Sequence, residues 1–300
     1  MKTRIAFFVA LSLMLSAVFL IKIQTADSSS VIGCPSSADS VDDRVKADIA
    51  SFKGKVSLFA KNLDTGETYG LNADDRVRTA STIKIAVMVE AFARVAEGKA
   101  KWTDELVLTK EKKVSGSGVL QELSDGLHLT LRDGVNLMML VSDNTATNLL
   151  IDRIGTGVVN DLMAGLGYEQ TRLGRRMYDF AARDRGFENR CAAGEMTEML
   201  VRLERRELVS AEASEAMLAI MKRQASVSKI PRLLPPDTPV ANKTGEITGI
   251  SHDVGLIYAP SGPIAISVLT EGARDRVAAE DAIGRIARAI YDAWGAEASS

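Results

Sequence analysis

Ser81 and Lys84 stand three residues apart in "RTASTIKIAVMVEAF" (78–92), at the head of a run that otherwise looks built for burial. A serine hydroxyl is a weak nucleophile at neutral pH and needs a neighbouring base. Histidine is the usual one, but the chain holds only His128 and His252 and no G-x-S-x-G elbow, which argues against a histidine triad. His128, inside the alternating "LHLTL", reads as a surface or turn residue, and His252 as a strand-end residue. Lysine serves as the base when burial or a nearby cation lowers its pKa. Residues three apart share one face of a helix, and unpaired N–H groups at a helix start favour a developing oxyanion. The pair therefore suits acyl transfer by serine and lysine. The competing reading is a serine cap with a lysine that snorkels to solvent.

Two more short motifs bear on that choice. "LVSDNTATNLL" places Ser142, Asp143 and Asn144 between apolar helical segments, and "VANKTGEITG" places Lys243, Thr244 and Gly245 at the end of an apolar β-run. Each tripeptide alone could be a loop cap or a surface strand end. Zinc hydrolysis has less support: there is no H-x-x-x-H, no close His/Asp cluster, and Cys34 and Cys191 lie far apart. No metal and no cofactor are expected, and both cysteines read as reduced.

The elements that must position these residues can be read coarsely. Alternating runs around Asp64-Thr65-Gly66 predict a β-hairpin. Helix follows from Ser81 to about Gly98, then a mixed stretch to 130 with a Gly/Ser-rich loop at "VSGSGVL". Thr130 caps further helical segments that break near Ser142, and helical spacing returns over 193–206 and 211–224. Three β-runs and a last helix over 277–295, with Ile283, Ile286, Ile290 and Trp294 on one stripe, close the chain. Strands at both ends and helices between predict an α/β (α+β) fold of two lobes. One lobe is an antiparallel sheet built from 45–80 and 225–300 and flanked by the last helix; the other, 81–224, is all-helical. The cleft between lobes is the default place for a ligand.

Of the 300 residues, 46% are apolar and 25% charged, as in ordinary globular proteins, with no internal repeat. Residues 1–26 carry Lys2 and Arg4 ahead of an uncharged apolar run over 5–21, which predicts export, either as a cleaved signal peptide or as a retained membrane tether. "VIGC" at 31–34 lies too far downstream to serve as a lipoprotein box. Residues 27–44 read as a flexible leader and 45–300 as the catalytic domain, acting as a monomer in the periplasm or anchored outside the cytoplasm. Without residues 1–26 the chain has 34 basic and 39 acidic residues, a net charge of −5 that disfavours nucleic acid as a partner.

In the order S-x-x-K, S-D-N, K-T-G, at 81, 142 and 243, the motifs resemble those of the class A serine β-lactamase and penicillin-binding protein superfamily, and the resemblance runs from about residue 45 to 295. It implies that Ser81 attacks a β-lactam or peptidoglycan-like carbonyl and that Lys84 accepts or organises its proton. It implies that Ser142 relays a proton to the departing nitrogen near Lys243. Asn144 would bind the substrate's side-chain amide, Lys243 and Thr244 its carboxylate, and Gly245 would let it lie along the strand edge. The backbone N–H groups of Ser81 and Glu246 would form the oxyanion hole.

One piece departs from that pattern. The family carries E-x-x-L-N after "TRL", and its glutamate activates the deacylating water. Here "TRLGRRMYDFAARDRGFENRC" puts Met177 at that position. Asp179 and Glu188 are the carboxylates that could substitute, or else surface charges or loop-pinning partners of Arg175 or Arg183; Glu122 has no assigned role. With a substitute base the chain is a β-lactamase. Without one it is a penicillin-binding, D,D-peptidase-like or esterase-like hydrolase that deacylates slowly, or a tethered penicilloyl-binding protein without turnover.

Overall fold

A computed structural model describes residues 40–296. The export segment, the tether over 5–21 and Cys34 lie outside the described residues. Among the described residues no helix is long and apolar enough to cross a membrane.

The chain runs α1 (Val41–Ile49), β1 (Lys55–Asn62), β2 (Thr68–Leu71), β3 (Val77–Arg78), a 3-10 turn (Ala80–Ile83) and α2 (Lys84–Ala96). Then come β4 (Glu105–Val107), β5 (His128–Thr130), α3 (Leu131–Leu140), α4 (Asn144–Ile154), α5 (Thr156–Gly165) and α6 (Phe180–Asp184). β6 (Arg190–Cys191), α7 (Ala193–Glu204), α8 (Ala211–Met221), β7 (Val240–Ile247), β8 (Ile250–Ala259), β9 (Gly262–Glu271) and α9 (Arg276–Trp294) complete it. The principal sheet has the order β2-β1-β9-β8-β7 with antiparallel neighbours, so the strands that close the chain pair directly onto β1, as the order of elements predicted.

Two cores lie on the two sides of that sheet. On one, α9 buries Ile283, Ile286, Ile290 and Trp294, spaced three and four apart as one helical stripe requires, against Val56, Leu58, Ile264 and Ile266. On the other, α2 is the central helix of the helical lobe. Every residue from Lys84 to Ala93 is buried, so the apolar run is apolar all round because neighbours cover all its faces.

Three boundaries differ from the sequence reading. The leader does not extend to 44, because Ser40 Oγ accepts Asp43 N–H and starts α1, whose Val45 is fully buried in the α9 core. The helical lobe is not all-helical: β4 pairs with β5, and β6 pairs with β3. These strands are two or three residues long, too short to show a period. His252 is not a strand end but lies inside β8 with no exposed surface. Helices α5 and α6 had no expectation.

Candidate active site

The 3-10 turn Ala80–Ile83 leads straight into α2 and fixes Ser81 and Lys84 relative to each other. Lys84 has no exposed surface, so the snorkelling alternative fails. Its Nζ lies 2.7 Å from Ser142 O, 3.0 Å from Ser142 Oγ and 2.9 Å from Asn144 Oδ1. Burial, and then the charge of Lys243, push its ammonium well below the lysine range, with Asp143 opposing in part. On the far side of Ser142, Lys243 Nζ donates to Ser142 Oγ (3.1 Å) and to Thr244 O (2.8 Å). Lys243 is also fully buried, and burial brings it down to about 7. Ser142 thus joins two lysines from different lobes, 58 and 101 residues away in sequence.

Ser142 occupies the left-handed region at φ 55, as do Ala80 at φ 45 and Tyr178 at φ 60. Non-glycine residues there cost of order 1 kcal/mol or more each. All three sit at or beside the residues that line a cavity of about 350 Å³, which contains Ser81, Asn144, Met177, Tyr178, Glu188 and Glu246.

β7 is the sheet edge facing Ser81. The bond from Tyr258 N–H to Pro239 O sets the phase of the β7–β8 ladder, so Asn242, Thr244 and Glu246 turn their backbone groups away from β8. The Glu246 N–H therefore faces the cleft side. The strand comes so close that a Cβ on Gly245 would lie 2.9 Å from Thr79 O and 3.1 Å from Ser81 N. Glycine is required here by the closeness of approach. His252 holds the same junction from within β8: Nε2–H donates to Arg78 O (2.7 Å) and Nδ1 accepts from Thr270 N–H (3.0 Å). Burial pushes its pKa down to about 4, so it is a neutral structural latch.

Residues 40–294 match the family described as "Beta-lactamase enzyme family". The chain belongs to that family. A solved β-lactamase from Sphaerobacter thermophilus is 38% identical, with a TM-score of 0.79 over 85% of this chain and 97% of that one. Beta-lactamase 3 of Bacillus cereus is 25% identical over 77% of this chain and 74% of its own length. Beta-lactamase PSE-4 of Pseudomonas aeruginosa is 27% identical over 52% of this chain and 54% of its own, so the match spans about half the length of that relative.

Within this β-lactamase-family chain, the loop after "TRL" is held by its neck. Asn189 Oδ1 accepts Gly174 N–H and Arg175 N–H (2.8 and 2.9 Å). Glu188 Oε1 accepts Arg175 Nε–H (2.8 Å) and Asn189 N–H (2.9 Å). Glu188 reaches the cavity wall yet is spent on Arg175, the loop-pinning alternative. Asp179 caps α6 by accepting Ala182 N–H (2.8 Å) and is not among the cavity-lining residues. Glu122 is exposed on a 3-10 turn.

The backbone of Met177 is fastened to Asn148 on α4: Met177 N–H donates to Asn148 Oδ1 (2.8 Å) and Asn148 Nδ2 to Met177 O (3.0 Å). Asn144 already gives one N–H to Ser115 O (3.2 Å) and its oxygen to Lys84, which leaves a single N–H for a ligand. Sequence reasoning missed Asn148, although its spacing of four from Asn144 on one helix was a signal. It also missed Tyr178, whose hydroxyl fills the space a Cβ on Gly116 would need. Lys229, a third fully buried lysine, carried no local signal at all.

Proposed function

We propose that the chain is a serine β-lactamase that opens the lactam amide through an acyl intermediate on Ser81. The observation that carries this reading is the line Lys84–Ser142–Lys243, its two lysines fully buried, beside a serine that faces a strand edge. A desolvated, neutral Lys84 has two N–H groups, matched by Ser142 O and Asn144 Oδ1, and its lone pair is left for a hydroxyl proton. Ser81 Oγ attacks the carbonyl and its proton passes to Lys84. The C–N bond then breaks, and the proton passes through Ser142 to the ring nitrogen. The N–H groups of Ser81 and Glu246 receive the oxyanion, each donor being worth about 2.7–4 kcal/mol in the transition state. Thr244 and Lys243 take the substrate carboxylate and Asn144 its side-chain amide.

For deacylation, the ion pair of Glu188 and the cap of Asp179 leave the regenerated neutral Lys84 as the base that accepts the proton of water and returns it to Ser81. Export to the periplasm belongs to the same reading, supported by the charged start and apolar run of residues 1–26.

Hydrolysis of a chromogenic cephalosporin, followed with intact-mass spectrometry, tests this. The expected result is an acyl adduct followed by steady turnover in the wild type, and neither adduct nor turnover in Ser81→Ala. An adduct that persists in Ser81→Ala would refute the nucleophile. A single burst with a long-lived adduct would refute turnover and favour a penicillin-binding protein.

A further inference from the structure

Away from the catalytic cleft, α2, α3 and α8 enclose a groove of about 410 Å³, within the range of about 300–1,000 Å³ usual for small-molecule sites. Its floor is aromatic. Phe92 of α2 and Trp102, on the connection from α2 to β4, meet edge to face with ring centroids 4.6 Å apart. Trp102 is fixed through its backbone, because its carbonyl accepts Arg132 N–H (3.2 Å) at the start of α3. The walls follow helical spacing: Val135 and Asn136 stand three and four residues after Arg132 on α3, and Ala216, Ala219, Ile220 and Arg223 share one face of α8 and the turn beyond it. Room remains because α8 contributes two alanines where larger side chains would close the space.

The charge of the groove is one-sided. Its charged lining residues are Arg132 and Arg223, with no carboxylate, in a chain of 37 basic and 39 acidic residues. Arg132 lies over the Trp102 ring at 4.9 Å, and Arg223 gives one N–H to Asn136 Oδ1 (2.8 Å). Among the described residues neither has a carboxylate within ion-pair distance. Stacking uses the face of a guanidinium and leaves its N–H edge free to donate. Two such edges beside an aromatic floor match a ligand that is flat, apolar and acidic at one end. We propose that this groove binds a small aryl carboxylate or sulfonate, its ring against Trp102 and Ile220 and its acid group on Arg132 and Arg223. Phe92 is eight residues beyond Lys84, about 12 Å along α2, and this groove shares no lining residue with the catalytic cleft. The proposal therefore does not depend on the β-lactamase reading.

Calorimetric titration with naphthoate, a naphthalene ring bearing one carboxylate, tests it on the wild type and three variants, each checked by thermal melting. The wild type is expected to bind one molecule per chain, about tenfold more tightly than it binds the neutral naphthylmethanol, the usual size of one charge-assisted hydrogen bond. Arg132→Gln and Arg223→Gln should each weaken naphthoate about tenfold. Ala219→Glu places a carboxylate four residues before Arg223, a pairing that favours the helix, and should weaken binding by more than that. No binding to the wild type overturns the proposal, as does equal binding of the neutral alcohol, which needs no variant. Affinity within twofold of the wild type in all three variants also overturns it. Displacement of naphthoate by a penicillin would place the ligand in the catalytic cleft and refute the groove. Displacement by sulfate at equal concentration would reduce the site to a patch of positive charge and refute the aryl class.

Discussion

Lys84 and Lys243 are two lysines made different by their surroundings. Lys84 must be neutral to accept a proton, and burial favours that form. Lys243 must be charged to donate to Ser142 Oγ and to attract a carboxylate, and burial brings its pKa to about 7. On the proposed mechanism the active free enzyme has Lys84 deprotonated and Lys243 protonated. Activity is therefore present above the lowered pKa of Lys84 and lost as pH rises through that of Lys243. The profile of kcat/KM, which reports the free enzyme, should be bell-shaped with an alkaline limb near 7. In Lys243→Arg the guanidinium stays charged, so that limb should move to higher pH even where the rate falls. A limb that stays in place would assign it to another group.

At the scale of elements, the edge strand β7 and the 3-10 turn carrying Ser81 have to touch without a side chain between them. Gly245→Ala would press a methyl group on Thr79 O and Ser81 N, both backbone atoms that cannot rotate away. Separating the strand from the turn by a fraction of an ångström moves the Glu246 and Ser81 N–H groups off a common oxyanion. The loss of one such donor costs about 10²–10³-fold in kcat. Gly245→Ala should thus lower kcat by that order while the melting temperature changes little, as steady-state kinetics and calorimetry would show. A mainly thermal effect would place the glycine in folding rather than catalysis. His252 steadies this junction through Arg78 O, and burial inside β8 keeps it neutral although that hydrogen bond pulls the other way.

Among the described residues one sheet separates two cores, and the residues proposed for catalysis lie on the side of the first. Lys84, α2 and the helical lobe belong to the first, whereas α1 and α9 close the second. Ile286 is fully buried in the second core. Ile286→Ala should cost about 2–5 kcal/mol, read by denaturant unfolding. The kinetic constants of the folded fraction should match the wild type, because the cavity created lies across the sheet from Ser81. A large change in kcat would mean that the two sides of the sheet are coupled.

The sequence by itself determined the Ser81–Lys84 spacing, the three ordered motifs and the pairing of late strands onto early ones. Each of these is written in local patterns: fixed residue spacings, alternation along strands and a period near four along helices. It also showed that Met177 stands where a carboxylate is expected. Only the tertiary structure decided which charges are spent. Glu188 against Arg175 is a contact of 13 residues' separation across a loop neck, and Glu246 against Lys229 one of 17 between a turn and a strand. No helical or strand period encodes such pairs. "STIK" placed a lysine at the head of a buried helix, and its burial beside Ser142 and Asn144 is what suits that lysine to the base role proposed for it. Burial and the identity of the partner set a pKa, and both arise only when segments distant in sequence meet.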